Sequence, residues 1–212
     1  MSGTRKASIL LTRLITGGEK GMLGTTIPAL KEWASAIKAL ENGRQILVMR
    51  KGGIVEETRH FELKSPAFYL YPTYEHQRKE LIKSSDHSYV EESLAEWVPE
   101  ASTIRITAYA EVAQDLEIRD QEMLDRLHDF HMWTSDFAED RLKWKRKDPL
   151  HVLILRVYRL NEPMEIPVLP EYNGCRSWIS IPNGPVPREM TPVVDVADFD
   201  EQVQKINDML KI

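Results

Sequence analysis

Residues 150–160 read Leu150-His151-Val152-Leu153-Ile154-Leu155-Arg156-Val157-Tyr158-Arg159-Leu160. Apolar and β-branched residues follow one another almost without a break, and Asp148-Pro149 stops whatever precedes them, so this is the strongest strand signal in the chain. Upstream, Thr103 to Val112 alternates through Ile104, Ile106, Ala108 and Ala110 and predicts a second strand. Glu117–His128 and Ser135–Lys145 lie between the two and carry helical spacing. Downstream, Met164–Leu169 and Arg176–Ile181 flank Asn173-Gly174, a hairpin-type turn pair. Pro167 and Pro170 lack backbone N–H groups and push the first arm to a sheet edge. After a proline-rich loop at Asn183–Pro192, Asp198 with Glu201 resembles a capping box. It opens a last helix with Phe199, Val203, Ile206 and Leu210 on one face.

The N-terminal half reads differently. Pro28 opens an expected helix whose buried stripe is Leu30, Trp33, Ala34, Ile37 and Leu40, ended by Asn42-Gly43. Strands are predicted at Gln45–Arg50, Phe61–Lys64 and Ala67–Tyr71, with a Gly52-Gly53 loop after the first and Ser65-Pro66 turning the second. Thr73 reads as the N-cap of a polar helix over Tyr74–Lys83. Ser84–Pro99 is expected to be a loop with a short helical piece at Ser93–Trp97. Regular patterning starts only after Met22. Residues 1–21 are therefore expected to be a disordered extension, with Met22 as a candidate start and residues 22–212 as a single domain.

Composition narrows the function classes. With 42% hydrophobic residues, 29% charged residues and five tryptophans, the chain has material for a folded core. A net charge of −5 argues against a wholly basic nucleic-acid surface while permitting a local basic patch. The single cysteine, Cys175, excludes an internal disulfide framework and a cysteine-rich zinc module. No apolar run approaches the roughly 18 residues of a membrane span. A cytoplasmic protein without membrane contact or cofactor is expected.

The lead site is geometric. If 45–50, 61–64 and 67–71 form an antiparallel meander, the first and third strands run the same way. Arg50, Lys51, Gly52 and Gly53 then lie near Thr73, where the helix start offers free N–H groups. Such an edge suits phosphate, with Tyr74, His76 and Gln77 in reach and Glu56, Glu57 and Glu75 opposing it. Arg141, Lys143, Lys145, Arg146 and Lys147 surround Trp144, as backbone contact with base stacking needs; the same cations also suit the last turn of a helix. Arg176 and Trp178 make a further candidate binding edge beside Cys175, which has no histidine placed against it. His128 and His131, with Asp125 and Asp129 close by, would need a third metal ligand from elsewhere. Glu62-Leu63-Lys64 is a short nuclease-like match with only Glu56 and Glu57 available as upstream carboxylates and without the surrounding parallel-sheet order.

Several separated stretches carry a family resemblance. They are Ala29-Leu30-Lys31-Glu32-Trp33-Ala34, Arg50-Lys51-Gly52-Gly53-Ile54, Tyr69 to Gln77, Leu155 to Leu160, and Gly174 to Trp178. Together they resemble the bacterial family called domain of unknown function 1802. That resemblance implies a tie to DNA restriction or defence, through restriction-endonuclease-type domains associated with the family. The order strand, helical insert, long strand over Thr103–Leu160 is similar to PUA- and ASCH-like domains, a fold-level likeness that implies RNA or nucleotide binding. The expected fold is α+β: a bent, mainly antiparallel sheet or small PUA-like barrel flanked by helices. The expected function is a binding module for nucleic acid or a nucleotide. Its rivals are a metal-dependent nuclease or other hydrolase using His76 with Glu75 or Glu56, and a protein-interaction subunit with an apolar patch around the last helix.

Overall fold

The computed structural model describes residues 26–51, 61–74, 76–144, 147–174, 176–182 and 189–212. Among these residues the chain runs β1 (Thr26–Trp33), α1 (Ala34–Glu41), β2 (Leu47–Arg50), β3 (Ala67–Thr73), α2 (His87–Ala95) and β4 (Thr103–Ile118). It continues through α3 (Gln121–Arg126), α4 (Ser135–Lys143), β5 (Leu150–Pro167), β6 (Trp178–Pro182), β7 (Met190–Pro192) and α5 (Val196–Leu210). The strands make one mixed sheet in the order β2-β5-β4-β3-β1-β6, with β7 on the same edge of β5 as β2. Only β1 and β3 pair in parallel among the described residues, and the sheet does not close. The fold is α+β, on a mainly antiparallel open sheet rather than a closed barrel.

β4 and β5 are the spine, paired from Thr103↔Pro167 to Ile118↔Leu150. Two irregularities bend them. Between Ile106↔Met164 and Ala108↔Arg159, β5 carries residues 160–163 against residue 107 of β4; between Val112↔Leu155 and Gln114↔Ile154, β4 carries the extra residue 113. An odd difference in strand length exchanges the two faces of a ladder, so one strand serves two cores. Ile106 and Ile166 enter a small core with Ala29, Tyr69, Tyr71, Ile179 and Ile181. Ala108, Ala110 and Leu153 enter a large one with α1, α4 and α5. β3 alternates between the two without a bulge, Phe68 and Leu70 into the large core and Tyr69 and Tyr71 into the small one. Val152, Leu153, Ile154 and Leu155 are all buried, which is why that stretch shows no alternation.

Thr134 Oγ1 accepts from Phe137 N at the start of α4. The last helix starts before the expected Asp198–Glu201 capping box: the Asp195 carboxylate accepts from Asp198 N, so Asp195 is the N-cap and α5 begins at Val196. Elsewhere, tertiary pairing overrides propensity. Pro28–Trp33 is strand, not helix, because β3 and β6 clamp it from both sides. β4 extends to Ile118, and the helix expected at 117–128 shrinks to α3. Phe61–Lys64 is not a strand, so among the described residues no meander joins it to β2 and β3. Among the described residues no hairpin forms around Asn173-Gly174: the end of β5 pairs with β4, and β6 pairs with β1. Residues 1–25 lie outside the described residues, and with them the expected extension and Met22. No helix among the described residues is long and apolar enough to cross a membrane.

Arg44 locks the end of α1 to the start of α2, its Nε and Nη2 reaching the two Asp86 carboxylate oxygens at 2.7 and 3.1 Å. His131 sits beside this pair. Burial first, then the nearby charges of Lys83, His128 and Arg44, push its imidazole down to about 3. A group depressed in the folded state is neutral there while the unfolded chain protonates near pH 6.5, so its contribution is complete above pH 6.5 and is lost as pH falls toward 3. Between pH 7 and 5 the expected loss is about 2 kcal/mol. Urea unfolding of the wild type and His131→Phe at both pH values checks this, because the variant should lose that much of the pH dependence.

Candidate functional site

The open sheet leaves a cleft of about 840 Å³ between α1, the end of β3, the loop after α2 and the first turns of β4. Ala34, Ile37, Lys38 and Glu41, one face of α1, form one wall. Lys31 reaches its floor from β1, and Lys31 Nζ donates to the carbonyls of Tyr172 and Gly174 at 2.7 and 3.0 Å. Lys38 crosses to Glu96 just after α2, at 2.7 Å. Arg105 on β4 is exposed on the opposite side, facing Glu165 of β5 in the ladder. Cations and acids are balanced here, so the cleft has no strong single-sign field.

Its distinctive feature is aromatic. The Tyr74 and Trp97 rings stack at 5.5 Å with only 13° between their planes. Trp97 remains 45% exposed, with Leu94 and Val98 exposed beside it. Burial, with the Glu96 carboxylate adding to it, pushes the Tyr74 hydroxyl up, so this ring stays neutral. A half-exposed indole fixed flat against a tyrosine is a platform for a planar ligand.

The expected site residues separate around this cleft. Thr73 ends β3 and caps no helix; Thr73 Oγ1 donates instead to Glu32 O at 3.1 Å, and the next helical piece is the short turn at Lys79–Leu81. The helix start expected to hold phosphate is therefore absent. Gln77 is structural: its Oε1 accepts from Ser35 N at 2.8 Å, serving the uncapped start of α1, and its Nε2 donates to Ser93 Oγ at 3.0 Å. His76 is exposed in the left-handed region at φ 63°, beside the platform rather than in the cleft lining. Lys51 is buried, with Nζ donating to Leu142 O, and Arg50 is ion-paired to Glu32 at 3.2 Å. β2 and β3 are separated by β5 and β4, yet both strand tips end on β1: Arg50 Nη1 donates to Lys31 O at 3.1 Å, next to the carbonyl that Thr73 binds. Gly52, Gly53, Glu56, Glu57, Glu75 and Cys175 lie outside the described residues.

Arg176 is exposed, while Trp178 packs edge-on to Phe68 at 5.0 Å and donates Nε1 to Glu62 O at 2.9 Å. Among the described residues of the basic stretch after residue 140, no cationic stripe forms. Arg141 lies on the Phe137 ring and Lys143 pairs with Glu139, leaving Trp144 exposed; Lys145 and Arg146 lie outside the described residues. Glu62 and Lys64 pair with each other at 2.6 Å. His128 and His131 sit past the end of α3 with ring centres 5.9 Å apart, and no group of three metal-ligating side chains occurs among the described residues. Exposed apolar residues on α5 are confined to its two ends, Val196 and Met209. Trp97, Lys38 and Arg105 escaped the sequence reading. The signal for Trp97 was a large aromatic in a polar stretch before Pro99.

A family model described as a domain of unknown function (DUF1802) matches residues 29–205. No curated protein matches the chain. Among solved structures, the chain is similar to a crystal structure of ASCH from Zymomonas mobilis, with 11% identity and a TM-score of 0.39 over 84% of this chain and 93% of that one.

Gln77→Ala should cost about 1–2 kcal/mol in chemical unfolding, having removed the donor and acceptor that tie α1 to α2. His76→Ala should change stability by less than about 0.5 kcal/mol. Equal effects at the two positions contradict the structural role given to Gln77.

Proposed function

The chain belongs to the family described as a domain of unknown function (DUF1802), and we propose that it is a binding module for single-stranded nucleic acid or a nucleotide, with a base seated on Trp97. The carrying observation is the Tyr74–Trp97 stack at the mouth of a cleft large enough for a nucleotide. Stacking needs a fixed, half-exposed ring, and every nucleobase offers a π-face. Thr103, Arg105 and Thr107 line the same cleft, and their side chains are the groups that would supply polar contacts to a sugar or phosphate. Lys38 is already paired with Glu96, and Glu100 and Glu165 also line the cleft, so stacking rather than phosphate attraction supplies most of the affinity. A link to DNA restriction or defence, implied by the family resemblance, is compatible with such a module and adds no chemistry to it.

The test is fluorescence anisotropy with labelled oligothymidine and oligouridine. Trp97→Ala should weaken binding about 5- to 100-fold, the worth of one stacked base. Trp144→Ala, which removes the exposed indole after α4, should leave it unchanged. The salt dependence should be shallow, with a log–log slope of about −1 to −2, because few cations in the cleft are unmatched. Undiminished affinity in Trp97→Ala, or no binding by the wild type at low salt, rules the reading out.

A further inference from the structure

On the other side of β1 from the cleft lies an unbalanced group of cations. Successive side chains of a strand point to opposite faces, so Lys31 enters the cleft and Glu32 turns away from it. Glu32 is buried, with its side chain only 7% exposed, and is already committed twice: Oε1 accepts from Trp33 N at 2.8 Å, and Oε2 accepts from Arg50 Nη1 at 3.2 Å. Arg50 is itself 14% exposed and lies over the Phe61 ring at 5.9 Å, and its Nε is buried without a hydrogen-bond partner. A second guanidinium joins it from α4. Trp33 and Phe137 pack at 5.1 Å, bringing α4 against the end of β1, and the Arg141 guanidinium sits 5.0 Å above the Phe137 ring.

Arg141 forms no hydrogen bond or ion pair among the described residues. Its charge is felt by its surroundings, since burial and then the like charge of Arg50 disfavour its protonated form while Glu32 favours it. Arg50 thus pairs with Glu32 while Arg141 lies near both without pairing, so the three carry one net positive charge in a half-buried place, and the buried Arg50 Nε is left without an acceptor. Buried cations and donors without acceptors are costly, and in folded proteins they call for an ion or ordered water. The planar forks of two arginines match the oxygens of a tetrahedral anion.

The geometry points to a phosphate-binding site between Arg50 and Arg141, completing with an oxyanion the coordination that Glu32 alone leaves unfilled. The site is independent of the base platform, because it lies on the opposite face of β1 and shares no side chain with it. The ligand is a phosphate group carrying the dianionic charge of inorganic phosphate or of a terminal phosphate monoester. Glu32 competes with it for the same donors and sets its affinity.

The full chain is heated in phosphate and in chloride at matched ionic strength. Phosphate at about ten times its Kd should raise Tm by roughly 3–6 °C over chloride. Arg141→Met, which keeps the contact with Phe137, should abolish that rise without lowering Tm in chloride, because a like charge beside Arg50 is gone. Glu32→Gln keeps an acceptor for Trp33 N and should tighten phosphate about tenfold by removing the competing charge. A 5′-phosphorylated oligothymidine run beside its unphosphorylated form separates the sources: a rise specific to the phosphorylated form assigns a terminal phosphate, and a rise with inorganic phosphate alone assigns the free anion. No rise in the wild type, an equal rise in Arg141→Met, or unchanged affinity in Glu32→Gln overturns the site. Trp97→Ala should keep the phosphate response, so failure of the platform and failure of this site are read separately.

Discussion

Two paired strands of 16 and 18 residues, β4 and β5, must bury apolar side chains along their whole length, and a regular ladder cannot do this in one core. A twisted ribbon of that span carries one face past the end of any single layer of helices. The irregularity at residues 160–163 resolves the conflict by exchanging faces: Ile106 and Ile166 turn into the small core, while Ala108 and Ala110 turn into the large one. The rest of the sheet is added to this bent spine. β3 and β1 continue it on one edge, and β2 and β7 share the other.

The bend also makes the functional surfaces. The ends of β4 and β5 that serve the small core line the cleft opposite α1, with Trp97 and Tyr74 in its wall. The same curl carries the tip of β2 to β1 without strand pairing, so that Arg50 hydrogen-bonds to Lys31 O and pairs with Glu32. β1 therefore divides two polar regions. Lys31 belongs to the aromatic cleft, and Glu32 to the arginine pair.

The site was less legible than the fold. Arg50 and Thr73 were singled out for a shared rim, and both do end on β1, but through side-chain bonds to Lys31 O and Glu32 O rather than through a meander and a helix start. Gln77 is expected to contact a ligand because it follows Thr73 within the first turn of the expected helix; it is spent instead on the unfilled N–H of Ser35. Arg141 looked like one of many surface cations, and only the packing of Phe137 on Trp33 brings it into register with Arg50 and Glu32. Trp97 had a hydrophobic residue's composition signal without a periodic one, and nothing local says that Tyr74 lies flat against it.

What the amino-acid order determined alone are the elements whose signals close within a few residues. The helical spacing at 135–143 and the apolar face of Phe199, Val203, Ile206 and Leu210 mark α4 and α5, although the cap of α5 is Asp195 rather than Asp198. The unbroken apolar run at 150–160 is a strand wherever it is placed. What only the tertiary structure decided are elements whose backbone partners lie far along the chain. Pro28–Trp33 has the spacing of a helix, yet Ala29–Trp33 pair with Tyr69–Thr73 on one side and Pro28–Leu30 with Trp178–Ser180 on the other. Two ladders outweigh a few tenths of a kcal/mol of propensity per residue, because they satisfy backbone groups that the interior would otherwise leave unpaired, with side chains serving Lys31 O, Glu32 O and Trp33 N.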